Sequence, residues 1–339
     1  MSPRRMTAGF IALCVSLLPI APSGGATWFH QLFPSPSSGP AQRTTEATGR
    51  FTAPLWVNPS TGVARATRSL LAVGMNDRAR ALQVLADEPT GVWLTSTDLT
   101  ATRQRVQSVV AQATQADRLV TLVPYAIPDR GCSPYSALPA AESAAHYRSW
   151  ISTIAQALGS YRAIIVLEPD ATGLFQCLTQ QQQQQRLQLL SEATKVLAHQ
   201  GSWVYIDAAH TGWLSPQVAA SRLKAAGVAD ATGFAVNVAN FQSTDSQIAY
   251  GRSISRLVGG KHFIIDTSRN GVGTARSDWC NPPGQGLGKK PTLVTHVPLV
   301  DAFLWVKRPG NSDGPCHGGP AVGTFWESYA LGLIARAHF

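Results

Sequence analysis

From Leu55 onward the chain alternates short apolar runs with longer segments of helical periodicity, and this alternation constrains the fold more than any other feature. The runs Leu55–Val57, Val92–Leu94, Leu119–Tyr125, Ile164–Leu167, Trp203–Ala208, Gly233–Val238, His262–Asp266 and Asp301–Val306 read as strands. They are apolar without alternation, as expected of parallel strands covered on both faces. Between them, Ala140–Leu158 places Tyr147, Trp150, Ile151 and Ile154 on one helical face, and Gln181–His199 does the same with Leu187, Leu190 and Val196. The glutamine run Gln180–Gln185 reads as the solvated first turn of that second helix. About eight βα units follow, in one domain over residues 55–339.

Polar residues stand just past the apolar runs: Tyr125 and Asp129, Glu168 and Asp170, Asp207 and His210, Asn237 and Asn240, Asp266 and Arg269, Lys307 and Asp313. Any one of them could be a loop or capping residue. Delivered by successive strand ends, they predict an α/β barrel with its site at the C-terminal ends of the strands rather than an open doubly wound sheet.

The N-terminal segment has a different character. Arg4 and Arg5, the apolar run Phe10 to Leu18 and the small residues Ala21 to Ala26 read as a secretory signal over residues 1–26. Residues 27–54, rich in Pro, Ser, Thr and Gly, read as a flexible leader. A secreted, extracellular protein follows, with no membrane association once the signal is removed. Removal of Cys14 leaves Cys132, Cys177, Cys280 and Cys316, an even number in an oxidising compartment, and predicts two disulfides whose three pairings the spacing leaves open. The charge of +9 is scattered, with no basic run interleaved with aromatics, which argues against a nucleic-acid partner.

Carboxylates dominate the strand ends, and no His pair stands at metal spacing, so neither a metal nor a cofactor is expected. Trp93, Trp203, Trp213, Trp279, Trp305 and Trp326 accompany them; indoles stack on sugar rings while Asp, Asn, Arg and Lys bond the hydroxyls. Glycoside cleavage needs two carboxyls, one protonated and one ionised. Competing motifs fail on context. Gly310-Asn311-Ser312-Asp313-Gly314 matches the G-x-S-x-G pattern, but Pro315-Cys316-His317-Gly318 follows where a nucleophile elbow needs a helix. Gly284 to Lys290 resembles a phosphate loop with Pro283 in place of its first glycine and no Ser or Thr after the lysine, and reads as a turn.

Seven ordered segments carry a family resemblance: Trp56-Val57-Asn58-Pro59, Tyr125 to Cys132, Leu167-Glu168-Pro169-Asp170, Ile206 to Trp213, Ile265 to Gly271, Trp279 to Gly284, and Asp301 to Lys307 leading to Ser312-Asp313-Gly314. On these the chain resembles glycoside hydrolase family 6, the endoglucanases and cellobiohydrolases, over roughly Leu55 to His338. The resemblance implies a distorted TIM-like barrel of mostly parallel strands, a cleft at the strand C-terminal ends, and hydrolysis of β-1,4-glucan or cello-oligosaccharides with inversion, by a monomer. Asp170 matches the general acid and Asp313 the carboxylate proposed as base. Burial and the neighbouring Asp207 would keep Asp170 protonated. Tyr125, His210, Trp213, Arg269, Trp279 and Lys307 match cleft residues, and Trp93, Asp207 and Asn237 complete the expected substrate-binding set. The implied disulfides are Cys132–Cys177 and Cys280–Cys316.

The sequence also departs from the family pattern. Gly131 stands where the family carries a second aspartate, Ser133–Pro139 lacks the usual Ser/Gly-rich stretch, Asn311 replaces a Glu and Ala209 a Gly. The short Gly314–Pro320 stretch points to an open cleft. The expected activity is therefore a secreted endo-β-1,4-glucanase of reduced rate. The alternatives are an impaired homologue that binds β-glucan and a hydrolase for a different β-glucan.

Overall fold

Seven strands run parallel and in chain order: β1 (Val92–Leu94), β2 (Thr121–Pro124), β3 (Ile164–Leu167), β4 (Trp203–Asp207), β5 (Gly233–Val236), β6 (His262–Asp266) and β7 (Val300–Leu304). The computed structural model describes residues 50–131, 138–273 and 278–337. The expected secretory signal and all of the expected leader before Arg50 lie outside the described residues.

The sheet curls until its first and last strands meet. No ladder joins β1 to β7; instead the Gly91 N–H donates to Trp305 O (2.9 Å) and the Trp93 indole N–H to Val306 O (2.9 Å). The approach requires glycine, because a Cβ on Gly91 would lie 2.4 Å from the Val306 carbonyl oxygen. The result is a distorted, incompletely laddered barrel of α/β class.

Strand periodicity divides the apolar residues between two cores. On β3, Ile164 and Val166 face the barrel interior with Trp203 and Tyr205 of β4, Ala235, Ile264, Ala302 and Leu304. Their neighbours Ile165, Leu167, Val204, Ile206, Phe234 and Ile265 face the helices. Phe51, at the expected end of the leader, is buried in the interior core and meets the Trp203 ring edge-on at 5.3 Å, so packed structure begins before Leu55.

The expected strand Leu55–Val57 does not form. Leu55 makes one parallel bridge to Leu119, and Trp56 N–H donates to Leu119 O (2.8 Å), ahead of the point where β2 begins. With a single bridge the segment adds no strand, and the barrel has seven rather than about eight.

Helices α1 (Gly62–Ala72) and α2 (Asn76–Ala86) precede β1; α3 (Leu99–Gln115), α4 (Ala144–Leu158), α5 (Gln180–His199), α6 (Pro216–Ala225) and α7 (Thr244–Leu257) follow β1 to β5 in turn. The described residues between β6 and β7 form no helix, and α8 (Glu327–Ala335) closes the chain order. Side-chain caps set several of the starts. Ser143 Oγ accepts from His146 N–H, which is why α4 opens at Ala144 and not at Ala140. Thr179 and Gln182 form a capping box at α5. On that helix Leu189, Leu190, Ala193 and Leu197 are buried while Val196 is exposed, a rotation of the face expected from the sequence. Among the described residues no helix is long and apolar enough to cross a membrane.

Candidate active site

The loops leaving β2, β3, β4, β5 and β6 converge at one end of the barrel, and several turn through left-handed backbone that L-residues adopt at a cost: Glu168 (φ 47°), Asp170 (φ 70°), Ala209 (φ 59°), Asn237 (φ 65°) and Ala239 (φ 58°). Side chains from neighbouring strand ends hold these turns. Asp207 Oδ2 accepts the backbone N–H groups of Asp170 (2.9 Å) and Ala209 (3.2 Å). Asp266 accepts from Ala239 N–H (2.8 Å), Ser268 N–H (2.9 Å) and Lys307 N–H (3.0 Å), tying together the ends of β5, β6 and β7.

Two expected catalytic carboxyls occupy opposite electrostatic settings. Asp170 accepts the Tyr125 hydroxyl hydrogen on Oδ2 (3.1 Å), and burial pushes its carboxyl above the usual range against the opposing pull of Tyr125, Arg130 and Lys307. Asp313 is also buried, which alone would raise it. Arg269 Nη1 at 2.6 Å from Oδ2 and Lys307 Nζ at 2.6 Å from Oδ1 outweigh that burial and hold it below the usual range. Asn281 clasps the same residue: its backbone N–H donates to Asp313 Oδ2 (3.0 Å) while its Oδ1 accepts the Asp313 N–H (2.8 Å). Asp207 lies well above the ordinary carboxylate range, first through burial and then through the charge of Asp170.

Aromatic groups flank this centre. Trp93 meets the Tyr125 ring edge-on at 5.1 Å, and the Arg130 guanidinium lies over the Tyr125 ring, 4.1 Å from its centroid. Trp213 packs on Gly173, where a Cβ would sit 2.4 Å from the indole. The His210 ring is 5.6 Å from that of Trp213; burial lowers its imidazole, and Nδ1 lies 2.6 Å from Thr211 O. Trp279 is 45% exposed, beside the Cys280–Cys316 disulfide, which joins two loops at a Cα separation of 6.1 Å. Cys177 is disulfide-bonded; Cys132, the partner that the resemblance implies, lies outside the described residues.

Two residues of the expected substrate-binding set are buried and bonded to the surrounding framework. Asn237 is wholly buried, its amide donating to Asp266 O (2.8 Å) and its Oδ1 accepting from Gln242 N–H (3.1 Å). Arg269 is equally buried, donating to Asp313 and Ala239 O and lying 4.3 Å over the Phe241 ring. The strand-end rule found both but could not tell a residue facing the cleft from one facing the next loop. Asn281 lies in the Trp279 to Gly284 segment, where a neutral amide beside a cysteine gives no sequence sign of a role. Glu168, singled out at the end of its strand but given no role, accepts from Ala126 N–H (3.0 Å) and Ile127 N–H (3.1 Å).

The rejected motifs stay rejected in three dimensions. Ser312 is buried with its hydroxyl within hydrogen-bond distance of Gly314 O (2.9 Å) and Pro320 O (2.8 Å), and a single 3-10 turn at Cys316–Gly318 follows in place of a helix. The glycines near Lys289 are packing positions, with Gly286 against Arg336 O and Gly288 against Asn270. Gly131 is exposed, and Asn311 spends its amide on Gly323 O (2.8 Å).

Similarity to known proteins agrees with this geometry. The chain is 39% identical to endoglucanase A of Cellulomonas fimi over 289 residues, covering 85% of this chain and 62% of that protein's length. It is 39% identical over 254 residues to endoglucanase 1 of Streptomyces sp. (strain KSM-9), covering 74% of this chain and 70% of the relative. Among solved structures, the endoglucanase Cel6 from Mycobacterium tuberculosis, in complex with methyl-cellobiosyl-4-deoxy-4-thio-β-D-cellobioside, superposes with a TM-score of 0.79 at 39% identity, covering 84% of this chain and 97% of that one. The model of the family described as glycosyl hydrolases family 6 matches residues 51–337, and with these likenesses it shows that the chain belongs to that family.

Proposed function

We propose that the chain is a secreted, monomeric endo-β-1,4-glucanase that hydrolyses cellulose-type glucan with inversion. The observation that carries this reading is the opposed setting of two carboxyls: burial favours the protonated form of Asp170, while Arg269 and Lys307 keep Asp313 ionised. Asp170 gives its proton to the glycosidic oxygen as that oxygen leaves the anomeric carbon. Water attacks the opposite face of the sugar, and its proton passes to Asp313, so the product carries the α configuration. Tyr125, kept protonated by burial, steadies the Asp170 carboxylate that results.

Trp93, Trp213 and Trp279 offer faces for glucose rings, and the ligand in the Mycobacterium tuberculosis structure supports a cello-oligosaccharide as the bound species. Export rests on the sequence character of residues 1–26. Gly131 favours a second reading, glucan binding with little or no turnover, because it supplies no carboxylate to order the attacking water.

The deciding experiment is reducing-sugar release from soluble mixed-linkage glucan and from carboxymethyl cellulose, with Asp170→Asn as control. Hydrolysis by the wild type, lost in the variant while oligosaccharide affinity stays within about threefold, supports the enzyme. Affinity without sugar release in the wild type supports the binding protein, and equal rates in both forms remove Asp170 from the acid role.

A further inference from the structure

Arg186 stands in the second turn of α5, directly after a glutamine run that reads as solvated surface, yet its side chain is 2% exposed. Its guanidinium reaches carbonyls of two different loops. Nη1 donates to Leu174 O at 2.7 Å and approaches Ala171 O at 3.5 Å; Nη2 donates to Asp129 O and approaches Pro128 O at 3.4 Å. The first pair belongs to the loop after β3, which carries Asp170. The second belongs to the loop after β2, which carries Tyr125.

These loops meet at the reacting centre through the Tyr125 hydroxyl and Asp170 Oδ2, 3.1 Å apart. Glu168 spans the same gap from the opposite direction by accepting from Ala126 and Ile127, and Glu168 and Asp129 supply the negative charge around Arg186. Burial lowers the Arg186 guanidinium to about 10, so it remains a cation at neutral pH. A planar fork with donors on two sides can hold two pairs of carbonyls at a fixed separation, which a single ammonium cannot.

We propose that Arg186 is a positioning residue for the general acid: it ties the Tyr125 loop to the Asp170 loop and thereby sets the contact between the two side chains. The proposal rests on the acid role given above to Asp170. A tyrosine that donates at the right distance stabilises the carboxylate left after proton transfer, so a loosened tie slows the chemical step. Trp279, beside the Cys280–Cys316 disulfide, stands on neither of the tied loops.

The test compares Arg186→Lys, which keeps the charge and loses the fork, with Arg186→Gln, which can serve only one loop. Turnover on carboxymethyl cellulose, melting temperature and the titration of 13C-labelled Asp170 are measured in both, alone and combined with Tyr125→Phe. In folded R186K, kcat falls about tenfold with KM within about threefold. The Asp170 carboxyl titrates about half a pH unit or more higher, and Tyr125→Phe adds no further shift to it. Wild-type kcat and wild-type Asp170 titration in both variants overturn the proposal, as does a lower melting temperature with neither change. If the wild type itself releases no sugar, the activity reading fails separately, and the Asp170 titration alone decides for or against the tie.

Discussion

Asp207 holds the backbone of Asp170: its Oδ2 accepts the Asp170 N–H at 2.9 Å, so the expected acid is oriented by a second carboxyl that is itself buried. Among the described residues Oδ1 of Asp207 has no hydrogen-bond partner, and burial together with the nearby Asp170 raises the group well above the usual carboxylate range. Burial thus favours the protonated form of this carboxyl over that of an exposed aspartate, while Oδ2 accepts the backbone N–H groups of Asp170 and Ala209.

An amide reproduces that pattern. Asp207→Asn should keep turnover within about tenfold, whereas Asp207→Ala, which strips both the Asp170 and Ala209 N–H groups of their acceptor, should cost about a hundredfold or more. Turnover numbers for both variants check this; equal losses would mean that Asp207 acts in its ionised form.

Gly131 offers a gain of function. Gly131→Asp places a carboxylate where the family resemblance leads us to expect one, and on the proposed activity should raise hydrolysis by about one to three orders of magnitude, or about 1.4–4 kcal/mol of barrier. Glucan affinity should change little, since the flanking tryptophans are untouched. Rates of the two forms, measured side by side on one soluble glucan, decide it; a wild-type rate that Gly131→Asp leaves unchanged would show that the missing carboxylate does not limit turnover.

Stability should fall as pH rises. Burial raises Glu168 to about 7 and moves Asp170, Asp207 and Asp266 in the same direction. Between about pH 4.5 and 7 the native state thus holds protons that the unfolded chain has released, so unfolding becomes easier as pH climbs through that window. Asp313 acts with the opposite sign, its contribution being lost only below the ordinary carboxylate range. Melting curves should show a lower Tm at pH 8 than at pH 5, and Glu168→Gln should flatten the difference.

Reduction of the Cys280–Cys316 bridge should loosen both the fold and the base. The chain-entropy argument gives about 4 kcal/mol for a loop of this length. Asn281, next to Cys280, clasps Asp313, so activity should fall below the melting transition as well. Thermal scans and rates of the Cys280→Ser/Cys316→Ser double variant against the oxidised wild type provide the measurement.

The sequence by itself determined the parallel α/β architecture, because apolar runs bounded by polar strand ends have few ways to be buried, and seven of the proposed strands formed within a few residues of their expected limits. It also determined which residues gather at the C-terminal ends of those strands, since strand polarity alone puts Tyr125, Asp170, Asp207, Lys307 and their neighbours on one face. Only the tertiary structure decided what each does there. Asn237 and Arg269 turn inward to backbone and to Asp313, and Arg186, next to a glutamine run read as a solvated first turn, bridges two loops. The physical reason is that direction and protonation depend on partners remote in the chain: Asp170 and Asp313 are the same residue type, and burial on one side and two cations on the other set them apart.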